Sequence, residues 1–255
     1  MNPNPLKEAW AEGRTTFGLW LTIPSSFSAE LVAGTGTDYV CVDQQHGVVD
    51  YSSMVPMLQA IKAAGAAPIT RVLSSDPYQI MKALDAGALG IIAPLVNNAE
   101  EAERAVAACR YPPQGIRSYG PIRASNVIGS SDPEDLAGEV LCIVMVETRE
   151  GLEHVEEIAA TPGLDGIYIG PADLAVSLGL PPTTIVKEDK HVEAVRQIKE
   201  ACQERGIAVG IHAASGEWAK KHVEAGFDMV TVATDAALLK NAAHWELAVA
   251  RGERR

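Results

Sequence analysis

Positive charge is scarce in this chain. Among 255 residues, 33 acidic side chains outnumber 21 basic ones, giving a formal charge of −12. The lysines and arginines are scattered, whereas a nucleic-acid binder needs them clustered to replace counterions at phosphates. No nucleic-acid partner is expected. Cysteine is also sparse: Cys41, Cys109, Cys142 and Cys202 lie far apart with no CxxC pair, and Cys41 and Cys142 fall inside apolar runs. Such thiols behave as small core hydrophobes, which points to a reducing compartment. No segment approaches the ~18 consecutive apolar residues of a membrane helix, and the polar start MNPNPLKEAWAEGR lacks the apolar stretch of a signal peptide. The expectation is a soluble cytoplasmic protein with no membrane partner.

Three motif absences narrow the chemistry. No GxGxxG or GxxxxGK[ST] follows the first β-like run, so nothing advertises a nucleotide cradle. No GxSxG elbow is present and no cysteine stands at a catalytic position, leaving covalent acyl transfer without a nucleophile. The nine lysines fall in helical or loop segments and none at a strand end, where a Schiff-base lysine would have to be desolvated.

What the chain does have is alternation. Short apolar runs at 16–23, 39–42, 68–72, 90–95, 141–146, 166–169, 208–211 and 229–232 read as eight strands. Amphipathic stretches at 52–64, 76–86, 98–109, 149–160, 191–205, 216–225 and 235–251 read as helices, several stopped by Gly65, Gly87, Gly206 and Gly226. This pattern specifies a parallel α/β sheet, open or closed. With the nucleotide motifs missing and a length near the roughly 250 residues of one (β/α)8 TIM barrel, the closed barrel is favoured, as one domain over residues 1–255. Two long connections, 110–138 and 172–189, are expected to cover an active site.

In such barrels the reactive groups stand at the C-terminal ends of the strands. The second run leads into Asp43-Gln44-Gln45-His46-Gly47, the third ends at Thr70-Arg71, the fifth meets Glu147, the sixth Gly170-Pro171-Ala172-Asp173, and the seventh His212. Any one of these could be a cap or a salt-bridge partner; their convergence on one mouth is the stronger signal. Glu147 follows LCIVMV directly, and a carboxylate there is costly unless paired or bound to a cation. Together with Asp173 on the next strand it suits a hard divalent cation such as Mg²⁺ or Mn²⁺. Asp173 as a cap of the short helix LAVSLG is the competing reading, and the two roles are not exclusive. His46 and Asp43, three apart in a turn, suit a general base or a water-orienting pair. Arg71 is either a counter-ion for these carboxylates or a guanidinium for a substrate carboxylate or enolate oxygen. His154, His191, His222 and His244 lie in polar helical stretches and are expected to be solvated. With lysine chemistry excluded, metal-stabilised enolate chemistry remains.

At these residues the sequence resembles the HpcH/HpaI aldolase family of class II, metal-dependent pyruvate aldolases. The resemblance runs from FGLWLTIPSSFSAELVAGTGTDYVCVDQQHG through PITRV, LDAGALGIIAPLV, YPPQGIRSYGP and VMVETREGLEHVEEIAATPGLDGIYIGPADLAVSLG to AGFDMVTVATDAALL. It implies reversible cleavage of a 4-hydroxy-2-oxo acid into pyruvate, or a close 2-oxo acid such as hydroxypyruvate, and an aldehyde. It also implies a divalent cation, Mg²⁺, Mn²⁺ or Co²⁺, on Glu147 and Asp173, and His46 with Asp43 as the catalytic dyad. Arg71 would contact the pyruvate oxygens and backbone amides from Gly170 through Pro171 and Ala172 to Asp173 its carboxylate. Asp85 would reach a neighbouring subunit's site in a homohexamer built as a trimer of dimers, whose C-terminal helices exchange. Three positions depart from the family. Gln45 stands where many members carry Glu, Met145 where some have glutamine, and His212 where others have leucine; the last two bear on which aldehyde is accepted. The rival functions are a citrate-lyase-like or malyl-thioester lyase, for which no basic cluster awaits coenzyme A phosphates, and a non-catalytic binding barrel, which the intact site residues oppose.

Overall fold

The computed structural model describes residues 1–253; residues 254 and 255 of the expected domain lie outside the described part. Eight parallel strands close into a barrel in sequence order: β1 (Thr16–Leu21), β2 (Tyr39–Asp43), β3 (Ala67–Arg71), β4 (Gly90–Ala93), β5 (Leu141–Val146), β6 (Gly166–Ile169), β7 (Ala208–His212) and β8 (Met229–Thr234). Closure comes from β1 pairing with β8, Thr16 opposite Met229. Helices cross between them: α1 (Pro5–Ala11), α2 (Ser26–Ala33), α3 (Tyr51–Ala63), α4 (Pro77–Asp85), α5 (Ala99–Cys109), α6 (Ala124–Ile128), α7 (Pro133–Gly138), α8 (Arg149–Glu153), α9 (Val155–Ala159), α10 (Pro171–Ser177), α11 (Asp189–Arg205), α12 (Gly216–Glu224) and α13 (Asp235–Ala250).

Each of the eight expected strands is present, and β2 to β6, buried along their whole length, are apolar except near their C-terminal ends, as strands covered on both faces must be. The four glycines read as helix stops all have positive φ, from +65° at Gly206 to +98° at Gly65. The barrel floor is a polar knot in an apolar core. Tyr39 and Tyr168 both bond their hydroxyls to Thr231 Oγ1, at 2.8 and 2.7 Å. Gly18 and Gly210 make room for these rings, since a Cβ at either position would run into the neighbouring tyrosine.

Three expectations are corrected. The connection 110–138 does not cover the mouth of its own barrel. It joins a helix end to a strand start, and only connections running from strand to helix emerge at the C-terminal face. It packs instead at the opposite end, where Asn2 donates to Ile128 O at 2.6 Å and Arg123 to Ala86 O at 2.7 Å. The stretch 149–160 is two helices, broken at His154. Finally, His191 and His222 are buried, at 0% and 6% exposure. Tertiary packing, not local polarity, decided their burial: His222 stacks edge-on against Phe227 and lies beside Trp218.

Candidate active site

The C-terminal strand ends enclose a cavity of about 250 Å³. Asp43, His46, Arg71, Gly170, Pro171, Ala172, Asp173 and His212 all line it, so these sequence-derived candidates meet at one mouth. Glu147 stands just behind Gly170, whose missing Cβ leaves room for Oε2 of the carboxylate. Met145, two residues earlier on the same strand face, also lines the cavity.

Asp43 is the pivot. Its Oδ1 accepts from the Gln45 N–H at 3.0 Å, the His46 N–H at 3.3 Å and Arg71 Nε at 2.9 Å, while Oδ2 accepts from Arg71 Nη2 at 2.5 Å. Register makes this possible, because Asp43 lies directly opposite Arg71 across β2 and β3. The Asp43 carboxylate therefore pairs with the guanidinium, and it holds His46 through the backbone rather than through the imidazole. Burial alone would raise the Asp43 carboxyl, but the Arg71 bonds and charge outweigh it and hold it below the usual carboxylate range. The His46 side chain is exposed. Arg71 turns its remaining nitrogen, Nη1, toward Met145 Sδ at 4.0 Å and lies 5.2 Å over the Trp20 ring.

Glu147 is 1% exposed. Its Oε1 accepts from the Leu95 N–H at 3.0 Å, and its Oε2 has no hydrogen-bond partner. Burial pushes this carboxyl up to about 7, the Leu95 N–H opposing the shift and the Asp173 charge adding to it. Asp173 is exposed and sits at the third position of α10, which opens at Pro171 on Gly170. It is thus not the helix cap, the alternative role considered for it. Among the described residues no group of three or more His, Cys, Asp or Glu surrounds a single point. His212 is held down to about 4, by burial first and then by the Arg71 charge, and its ring meets Trp20 edge-on at 5.6 Å.

Asp85 is not at this mouth. It ends α4 at the far end of the barrel, where Oδ1 accepts from Arg117 Nη2 at 2.9 Å. The sequence reading missed Trp20, Thr22, Tyr168, Thr184 and Thr234, which also line the cavity. A tryptophan on the first strand was the available signal; the others are common residues that only closure of the barrel brings together. Thr184 comes from the connection 172–189, which does stand at the mouth.

Residues 16–242 match the profile of the HpcH/HpaI aldolase/citrate lyase family. The chain is similar to a hydroxypyruvate/pyruvate aldolase of Rhizorhabdus wittichii, 42% identical over 248 residues that span 97% of this chain and 99% of that protein. It is similar to a 4-hydroxy-2-oxo-heptane-1,7-dioate aldolase of Klebsiella pneumoniae, 39% identical over 94% of this chain and 91% of the other. Among solved structures, an HpcH/HpaI aldolase/citrate lyase family protein from Burkholderia cenocepacia superposes with a TM-score of 0.90 at 33% identity, covering 97% of this chain and 99% of that one.

Proposed function

The chain belongs to the HpcH/HpaI aldolase/citrate lyase family, and from that premise we propose that it is a class II pyruvate aldolase, a single (β/α)8 domain over residues 1–255. It cleaves a 4-hydroxy-2-oxo acid reversibly into pyruvate, or a close 2-oxo acid such as hydroxypyruvate, and an aldehyde. The observation that carries the reading is the unpartnered Oε2 of Glu147. A buried, ionised carboxylate oxygen without a partner is expensive, and a cation shared with Asp173 removes the expense. Two carboxylates leave most of a cation's coordination positions to substrate and water. When bound, a divalent cation (Mg²⁺, Mn²⁺ or Co²⁺) supplies positive charge beside the 2-oxo and carboxylate oxygens of the substrate.

The side chains divide the remaining work. His46 takes the proton of the substrate's 4-hydroxyl, directly or through water. As the C3–C4 bond breaks, its electrons move toward the 2-oxo group, whose oxygen faces the Arg71 guanidinium; the aldehyde leaves and C3 takes up a proton. Asp43 keeps Arg71 in place for this, and through the Gln45 and His46 amides it fixes the turn that carries the base. The first-turn amides of α10, after Gly170 and Pro171, have no carbonyl partner within the helix and receive the substrate carboxylate at Ala172 and Asp173. His212 and Met145 face the aldehyde side, where His212 stays neutral and offers a hydrogen bond that leucine lacks.

Assembly follows the same reading. Of the sixteen residues of α13 only Asp235 is buried, and Leu238, Leu239, Leu247 and Val249 stand exposed. An apolar helix in water favours exchange onto a second copy, as in a hexamer made of three dimers. Asp85, at the far end of its own barrel, can serve a site only in a neighbour. The four cysteines are buried and unbridged, which suits the cytoplasm, and no helix among the described residues is long and apolar enough to cross a membrane.

The test is pyruvate release from a panel of 4-hydroxy-2-oxo acids. EDTA should abolish it, and Mn²⁺, Co²⁺ or Mg²⁺ should restore it to the wild type but not to Glu147→Ala or Asp173→Ala. Full activity in metal-free buffer, or a borohydride-trapped lysine adduct, overturns the proposal.

A further inference from the structure

Beyond β4 the chain passes through Pro94, Leu95, Val96, Asn97 and Asn98 before α5 begins. Among the described residues Leu95 is the single non-glycine residue with positive φ, at +56°. A leucine enters that region against a steric cost, so its surroundings must hold it there. The Val96 N–H ties the turn to Met145 O at 3.1 Å, and the side-chain restraint runs through Asn97. Its Nδ2 donates to Leu95 O at 3.1 Å and its Oδ1 accepts from the Thr148 hydroxyl. Its N–H donates to Glu101 Oε2 at 2.7 Å, and its carbonyl meets His154 Nδ1 at 3.2 Å. Every polar group of Asn97 is engaged.

Two consequences converge on Glu147. The left-handed turn at Leu95 aims its N–H at Glu147 Oε1, 3.0 Å away, leaving Oε2 as the oxygen without a partner. Thr148, the residue after Glu147, is tied to the same asparagine side chain. One amide thus fixes both the donor that restrains the carboxylate and the backbone on which the carboxylate stands.

We propose that Asn97 is a positioning residue for the cation site, holding Leu95 left-handed so that Glu147 presents Oε2 in a fixed direction. The proposal rests on the reading of Glu147 as a cation ligand. Without the Asn97 amide, Leu95 relaxes toward negative φ, its N–H turns away, and Glu147 must be ordered by the cation itself. Outer partners of a ligand carry about 10- to 100-fold in metal affinity.

The experiment is Mn²⁺ titration followed by electron paramagnetic resonance, on the wild type, Glu147→Gln, Asn97→Ala and the double variant Asn97→Ala/Leu95→Gly. The metal-free melting temperature of each is recorded alongside. Asn97→Ala should weaken Mn²⁺ binding about tenfold or more, with little change in the metal-free melting temperature. Adding Leu95→Gly should recover part of the loss, because glycine adopts positive φ without a steric cost; general loosening of the loop would be made worse by glycine. Asn97→Ser, too short to span Leu95 and Thr148, should repeat the loss and serves if the alanine variant folds poorly. An Asn97→Ala or Asn97→Ser constant within twofold of wild type, or a further loss on adding Leu95→Gly, overturns the proposal while leaving the cation site standing. Equal Mn²⁺ binding by wild type and Glu147→Gln removes the site, and the positioning role with it.

Discussion

Arg71 grips Asp43 at two points across adjacent strands, Nε to Oδ1 at 2.9 Å and Nη2 to Oδ2 at 2.5 Å, with both side chains almost wholly buried. The pair joins Arg71 to the turn that carries His46, the two groups to which the proposed mechanism gives the enolate oxygen and the proton transfer. Asp43→Asn keeps the acceptor for Gln45 and His46 but sets an NH₂ against Arg71 Nη2 and leaves the guanidinium without its charge partner. Breaking a buried pair in this way costs about 3–5 kcal/mol. Urea unfolding of Asp43→Asn should show a loss of that size together with loss of turnover. A change under ~1 kcal/mol would mean that Arg71 finds another partner.

His46 makes no such commitment. Its side chain is exposed, so removing it should leave the fold intact. His46→Ala should lower turnover by about 10²-fold or more with the melting temperature nearly unchanged. Near wild-type turnover in this variant would assign the proton transfer to another group.

The contrast between these two residues marks what the sequence could disclose. Asp43, Arg71, Glu147 and His212 were legible because each polar residue ends an apolar run, and a strand buried on both faces tolerates such a residue only at its tip. The partner of Asp43 was not legible. Proximity in sequence suggested the His46 ring, whereas strand register places Arg71 opposite. Likewise the polarity of its helix suggested a solvated His191, and only the packing of α11 buries it. The face reached by 110–138 was legible, because the chain reads as a helix at 98–109 before it and a strand at 141–146 after it, and a helix-to-strand connection lies away from the C-terminal mouth. Trp20 was hidden because it is an apolar residue within the first strand rather than a charged one at its tip.

His212 is half-buried at the cavity wall and stays neutral above a pKa of about 4, so across ordinary assay pH it acts as a hydrogen-bonding group without charge. His212→Leu should reorder the acceptance of polar against aliphatic aldehydes, with the KM for pyruvate changed far less. An unchanged ranking would place the aldehyde elsewhere in the cavity.

Asp85 offers a test of assembly, because it and His46 belong to opposite ends of one barrel. If Asp85 of one chain completes the mouth of another, Asp85→Ala and His46→Ala each spoil a different half of a shared site. Mixing the two inactive proteins and allowing subunit exchange should recover part of the activity, since some mixed interfaces carry both residues intact. No recovery after exchange has been verified by mass spectrometry would confine the site to one chain.

The pH dependence of the metal-free protein tests the Glu147 environment itself. Burial raises this carboxyl from 4.5 to about 7, so between those values the folded chain holds a proton that the unfolded chain has released. Stability must then fall as pH rises through this window, the reverse of an ordinary salt-bridged carboxylate. A shift of this size corresponds to about 3 kcal/mol, absent below pH 4.5 and fully expressed above pH 7. In EDTA, urea unfolding should therefore show the wild type losing stability between pH 5 and pH 8 relative to Glu147→Gln, which has no proton to release. Cation binding needs the ionised carboxylate, so Mn²⁺ affinity should also drop as pH falls below about 7, toward tenfold per unit. Saturating Mn²⁺ should flatten the stability profile at the alkaline end, because the cation then occupies the oxygen that burial left without a partner. A wild type that tracks Glu147→Gln at every pH would show that the carboxylate is already satisfied in the metal-free protein, and the argument that a cation is needed there would fail.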